Sequence, residues 1–114
     1  MKVENRVKRY SDFQNVINLG EPVKSQTLTL YFLKNNLDHS RIGISVSKKS
    51  GNAVIRNKIK RQIRAIVSKE MDLSKPLDLV FIARKGFDIN NFEKTREDIK
   101  QLLEKVGQTS EEDS

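Results

Sequence analysis

Side chains that could carry out a reaction are few and dispersed in this 114-residue chain. Asp12, Asp78, Asp88 and Glu93 stand far apart, and no spacing among them predicts the paired carboxylates that a protein-borne metal nuclease needs. His39 is the one histidine; it falls in a predicted turn, has no visible acid–base partner, and reads as a solvent-facing turn residue. Cysteine is absent, which excludes disulfides and thiolate metal sites. Gly51 lacks the second glycine and the following Lys-Ser/Thr of a phosphate-binding loop. No catalytic residue and no metal ligand is assigned.

What the spacing does offer is cations. The formal net charge is +7, and its distribution is uneven. From Arg41 to Lys69 there are nine Lys or Arg residues and no Asp or Glu, whereas acids collect in the second half and in the tail Glu111-Glu112-Asp113. Segregation of this kind builds one positive face and suits a polyanionic partner. A predicted central helix, about Ala53 to Ser68, organises the face. At the helical step, Ile55, Ile59, Ile63 and Ile66 fall within an arc of about 80°, while Arg56, Asn57, Lys60, Arg61 and Arg64 fill a neighbouring arc of about 140°. Such a rod, about 24 Å long, can track several phosphates at once. Lys48 and Lys49 lie in the loop feeding its N-terminus, where free backbone N–H groups can receive another. A merely solvated basic helix would gain from i, i+4 acidic partners, and here there are none.

The elements that must position this face follow from period and punctuation. Residues 1–10, with Lys2, Arg6, Lys8 and Arg9, read as a flexible or extended basic arm. Ser11 with Gln14 resembles a capping box opening a helix from Asp12 to Leu19, and Gly20 is its stop. Pro22 and polar residues break the pattern. Thr27 to Phe32 alternates, with Leu28, Leu30 and Phe32 inward and Thr27, Thr29 and Tyr31 on the other face. Arg41 to Ser47 alternates likewise, with Ile42, Ile44 and Val46 inward, and the two runs predict an antiparallel pair. Asn52 caps the central helix. Leu77 to Ala83, apolar at nearly every position, suits a central strand covered on both sides. Arg84-Lys85-Gly86 is a basic turn. Asn90 with Glu93 opens a last helix to about Val106, with Phe92, Ile99, Leu102, Leu103 and Val106 inward; Gly107 ends it, and 108–114 read as a disordered polar tail. The sum is one α+β domain over residues 1–107: an α-β sandwich, a small sheet with packed helices. No apolar run approaches the ~20 residues that span a bilayer, and the polar N-terminus has no signal-peptide core. No membrane partner and a cytoplasmic setting are expected.

The run Ser45-Val46-Ser47-Lys48-Lys49-Ser50-Gly51-Asn52-Ala53-Val54-Ile55-Arg56-Asn57-Lys58-Ile59-Lys60-Arg61-Gln62-Ile63-Arg64 closely resembles the signature segment of the bacterial ribonuclease P protein family. The likeness extends to about Val106 and takes in Asp12-Phe13-Gln14, Leu30-Tyr31 and Ile82-Ala83-Arg84-Lys85. One departure stands out: the family's Arg-Asn-Arg triplet reads Arg56-Asn57-Lys58, which keeps the charge and loses a planar bidentate fork. The resemblance implies a mostly antiparallel sheet in the order α-β-β-β-α-β-α with a left-handed β-α-β crossover, against the usual hand. It also implies the non-catalytic protein subunit of a ribonucleoprotein endonuclease. Its catalytic RNA, with Mg²⁺ held chiefly by that RNA, removes the 5′ leader of precursor tRNA. On that likeness Lys48, Lys49, Asn52, Arg56, Asn57, Lys58, Lys60, Arg61 and Arg64 contact the catalytic RNA. Phe13, Ile17 and Tyr31 line a cleft for the single-stranded leader, and no obligate protein partner is expected. Exposed aromatics stack on unpaired bases, which supports Tyr31 independently, whereas a lone Phe13 on an amphipathic helix is as readily core. Two rivals are a generic basic rRNA- or DNA-binding module and an autonomous nuclease.

Overall fold

Leu77–Ala83, apolar at nearly every position, takes an interior place in the sheet where both of its faces are covered. In the computed structural model, which describes residues 2–112 and their side chains over 2–107, this strand, β4, lies between β2 (Leu28–Lys34) and β3 (Arg41–Ser45). It runs antiparallel to β2 and parallel to β3, and β1 (Glu21–Lys24) pairs antiparallel with the outer edge of β2. The order β1-β2-β4-β3 corrects the expected β2–β3 pair. α2 (Ala53–Glu70) follows β3 and carries the chain across the sheet, so β4 returns parallel to β3 and displaces it from β2. β1 completes the three strands that the resemblance implied ahead of the central helix, although the residue pattern alone read Pro22 and its neighbours as a break. Its Pro22 removes a ladder donor, and the strand is tolerated because it lies at an edge.

Strand parity sorts the two sides of the sheet. Leu28, Leu30, Phe32, Ile42, Ile44, Leu79 and Phe81 pack with Ile59, Ile63, Ile66 and Val67 of α2 and with Ile99, Leu102 and Val106 of α3 (Phe92–Glu112). The opposite side is covered by α1 (Tyr10–Leu19), whose fully buried Val16 lies over the strands. α1 starts earlier than predicted: the amides of Asp12 and Phe13 donate to the Arg9 carbonyl, so Ser11 is inside the helix and makes no cap. Gly20 does end α1, but with extended backbone. Its requirement is steric, since a Cβ there would stand 2.7 Å from the Phe32 carbonyl oxygen.

Three further expectations change. Asn91, not Asn90, caps α3, its Oδ1 accepting from the Lys94 amide at 3.2 Å. The helix continues past Gly107 to Glu112; residues 113–114, part of the tail read as disordered, lie outside the described residues. Phe92 and Ile55, both assigned inward, are 45% and 38% exposed, each lying in its helix's first turn at the margin of the core stripe. The N-terminal arm, expected to be flexible or extended, instead makes a single 3₁₀ turn over Val3–Asn5 and is docked. The Asn5 side chain is buried and donates to the Ser40 carbonyl at 2.8 Å, and the Val7 amide donates to the Ile42 carbonyl at 3.0 Å. Among the described residues no helix is long and apolar enough to cross a membrane.

Candidate nucleic-acid interface

The basic helix is launched by local geometry that the sequence announces. Ser47 Oγ accepts from the Lys49 amide at 3.1 Å, and Asn52 Oδ1 accepts from the Ile55 amide at 3.0 Å, as a capping side chain does. Between them Gly51 has φ +145°, where an L side chain is strained; a Cβ there would also press on Ile55 at 3.1 Å. The bend brings Lys48 and Lys49 to the helix N-terminus.

Lys48, Lys49, Asn52, Asn57, Lys58 and Arg61 are exposed, and Arg56, Lys60 and Arg64 are half-buried. Among the described residues none of these cations forms an ion pair; the carboxylates pair elsewhere, with His39, Arg41, Lys94 and Arg96. The Nε atoms of Arg56 and Arg64 are shielded from solvent and have no hydrogen-bond partner. Burial, and then the like charge of Arg6, hold the Arg64 guanidinium below its ordinary pKa. Unneutralised, partly desolvated guanidinium groups of this kind gain from an anion.

The docked arm adds a residue that the sequence reading missed. Arg6 bridges to Ile42 at the sheet edge and joins Asn57, Arg61, Arg64 and Lys69 around one groove. Fifty-eight positions separate Arg6 from Arg64, so the only local hint was the alternation of charged Arg6 and Lys8 about buried Val7. Lys58 lies apart: by helical geometry it is turned about 160° from the centre of the Arg56–Lys60–Arg64 arc. Arg41 also leaves the positive face. Its Nε and Nη2 form a two-point contact with buried Asp78 at 3.0 and 2.6 Å, and Nη1 reaches Asp12 at 3.5 Å. Two carboxylates that sequence spacing kept apart therefore meet across one guanidinium. His39 lies beside Asp38, with Nδ1 2.8 Å from Oδ1.

The second candidate region is on the α1 side. The register aligns Pro22, Tyr31, Val80 and Gly43 across all four strands. The Phe13 ring rests on Gly43; a Cβ there would stand 2.7 and 2.8 Å from Cε1 and Cζ. Gly43 was missed by sequence reading, although glycine inside a strand is the ordinary sign of a close approach. Phe13, Ile17 and Tyr31 are all half-buried, and α1 packs on β2 and β4. Thr27 does not belong to this region: it is buried, and its hydroxyl donates to Asp98 of α3 at 2.5 Å.

The family described as Ribonuclease P matches residues 1–107, which takes in all four strands, α1, α2 and α3 as far as Gly107. The chain belongs to the ribonuclease P protein family. A relative from Bacillus velezensis named "Ribonuclease P protein component" is 42% identical over 107 residues, covering 93% of this chain and 92% of its own length. The solved ribonuclease P protein of Thermotoga maritima superposes with TM-score 0.77 at 31% identity, over 88% of this chain and 96% of its own. That of Staphylococcus aureus superposes with TM-score 0.75 at 36% identity, over 90% and 94%.

Proposed function

We propose that this chain is the protein subunit of ribonuclease P. It holds the catalytic RNA on the basic side of α2, admits the 5′ leader of precursor tRNA to the cleft bordered by Phe13, Ile17 and Tyr31, and so assists leader removal in the cytoplasm. The observation that carries the reading is the set of cations on α2 that have no carboxylate partner and include two shielded, unbonded Nε atoms. A folded polyanion supplies the counter-charge these guanidinium groups lack, and release of its counterions drives assembly. The half-buried ring of Tyr31 supplies stacking area that any unpaired base can use. Among the described residues no three His, Asp or Glu side chains converge, and Asp12 and Asp78 both face Arg41. These residues do not make a metal site, so the reading assigns Mg²⁺ and the hydrolytic step to the RNA and routes no step through a metal on the protein.

Reconstitution with the ribonuclease P RNA tests this. Protein alone should leave precursor tRNA intact. The assembled particle should bind leader-bearing tRNA more tightly than mature tRNA, most visibly at low magnesium. Cleavage by RNA-free protein would mean an autonomous nuclease, and equal affinity for both tRNAs would reduce the chain to a generic basic module.

A further inference from the structure

Ile55 occupies a core position by spacing, yet it is 38% exposed on the most basic helix of the molecule. It does not stand alone. It lines a groove of about 540 Å³ whose apolar walls are Ile55 and Ile59 on one bank and Ala83, Phe87 and Ile89 on the other. The rim carries Lys49, Arg84 and Lys85, and no acid lines the groove. Its far bank is held in place: Gln62 Nε2 donates to the Ile89 carbonyl at 3.0 Å, and an Arg84 Nη donates to the Ser25 carbonyl at 2.7 Å.

From this we infer that the groove is a nucleobase-binding subsite, which takes one unpaired base of the catalytic RNA between Ile55 and Phe87 while Lys49 and Lys85 hold the flanking phosphates. An apolar slot ringed by cations complements a nucleotide: its base is flat and largely apolar on both faces, and its backbone is anionic. The source follows from parity. Ala83 pairs with Leu28, and both lie on the α2 side of the sheet, whereas Tyr31 and Val80 lie on the α1 side. The groove therefore opens beside the N-terminus of α2, continuous with the face proposed for the catalytic RNA and across the sheet from the leader cleft. The inference rests on that proposed reading and adds to it a site that reads an unpaired base rather than backbone charge.

Dissociation constants of the full chain for the ribonuclease P RNA, measured across a salt series, test it with Ile55→Ala and Phe87→Ala. Each variant should weaken binding about tenfold, the scale of one lost stacking partner. The slope of log K against log salt should stay unchanged, because no cation is removed. Chemical probing of the RNA should show one unpaired nucleotide protected by the wild-type chain and left reactive by both variants. Ile55→Val, which keeps the apolar wall, should restore protection. Circular dichroism melts establish that the variants are folded, and the exposed Ile55 decides the matter if Phe87→Ala unfolds. Wild-type affinity and protection in folded Ile55→Ala would overturn the subsite. So would a change in the ratio of precursor to mature tRNA binding, which would place the occupant in the leader. Failure of the wild-type chain to bind the RNA would instead sink the subunit reading itself.

Discussion

The two sides of the sheet solve opposite problems with the same scaffold. Along α2 and the loop before it, the cations from Lys48 to Lys69 make no ion pair among the described residues, and two guanidinium Nε atoms are left without partners. On the α1 side the dominant cation, Arg41, is fully engaged by Asp78 and Asp12, and what lies open is partly apolar: Phe13, Ile17 and Tyr31. One side stores unspent charge and the other neutralises it locally. The difference teaches that a count of Lys and Arg along the chain is a poor guide to a surface potential. Nine cations run from Arg41 to Lys69, but the first of them anchors a strand to a helix.

The comparison can be broken from either side. The largest effect expected is for Arg56, Lys60 and Arg64 replaced together by Ala. Affinity for the catalytic RNA should fall by about three powers of ten near 0.1 M salt, and the salt slope should flatten by about three. Filter-binding titrations across salt measure both, and an unchanged slope would remove this face from the interface. Next, Arg41→Ala should cost about 3 kcal/mol of folding stability, because it leaves the buried Asp78 carboxylate without a counter-charge and with Asn35 as its side-chain donor. Urea denaturation measures this, and a loss within a few tenths of a kcal/mol would mean that the network carries little. Tyr31→Ala should cost about 1–3 kcal/mol of the preference for precursor over mature tRNA and leave affinity for the catalytic RNA unchanged. Equal loss for both ligands would merge the two sides into one site.

The smallest effect concerns acid. Burial alone would raise the Asp98 carboxyl, but hydrogen bonds from Thr27 and Lys94, with the charge of Lys94, outweigh it and hold the group below the usual carboxylate range. A folded-state pKa below the unfolded value near 4 contributes stability that is present above about pH 4 and lost as pH falls through the lower folded value. Asp98→Asn should therefore be less stable than wild type at pH 7 and close the gap toward pH 2, read from thermal midpoints across pH. A constant gap would mean that the carboxylate charge contributes nothing beyond shape.

What could be read from the residues was whatever is local. α2 was legible because a capping Asn52, an isoleucine stripe and a cationic stripe all follow one period, and the ends of β4 were legible because Pro76 and the Arg84 turn bracket an apolar run. The strand order was not, since neither Leu28–Lys34 nor Arg41–Ser45 carries any mark of a third strand that enters between them 32 residues later. Arg6 beside Arg64, and Gly43 beneath Phe13, are likewise juxtapositions across the chain that no window of sequence contains. Ile55 shows the reverse error. The period placed it inward correctly in angle, but the sheet ends before it does, and a helix position is only as buried as the neighbour it faces.

The central place of β4 has a consequence for synthesis. A ribosome delivers β1, β2, β3 and the whole of α2 before Leu77 emerges, so until then neither β2 nor β3 has the strand that joins them into one sheet. During that interval the isoleucines of α2 lack their seat while its arginines are already in solution beside abundant RNA. Assembly of the sheet is thereby deferred until Leu77–Ala83 has emerged, and the nascent chain carries an exposed cationic helix before it carries a shape.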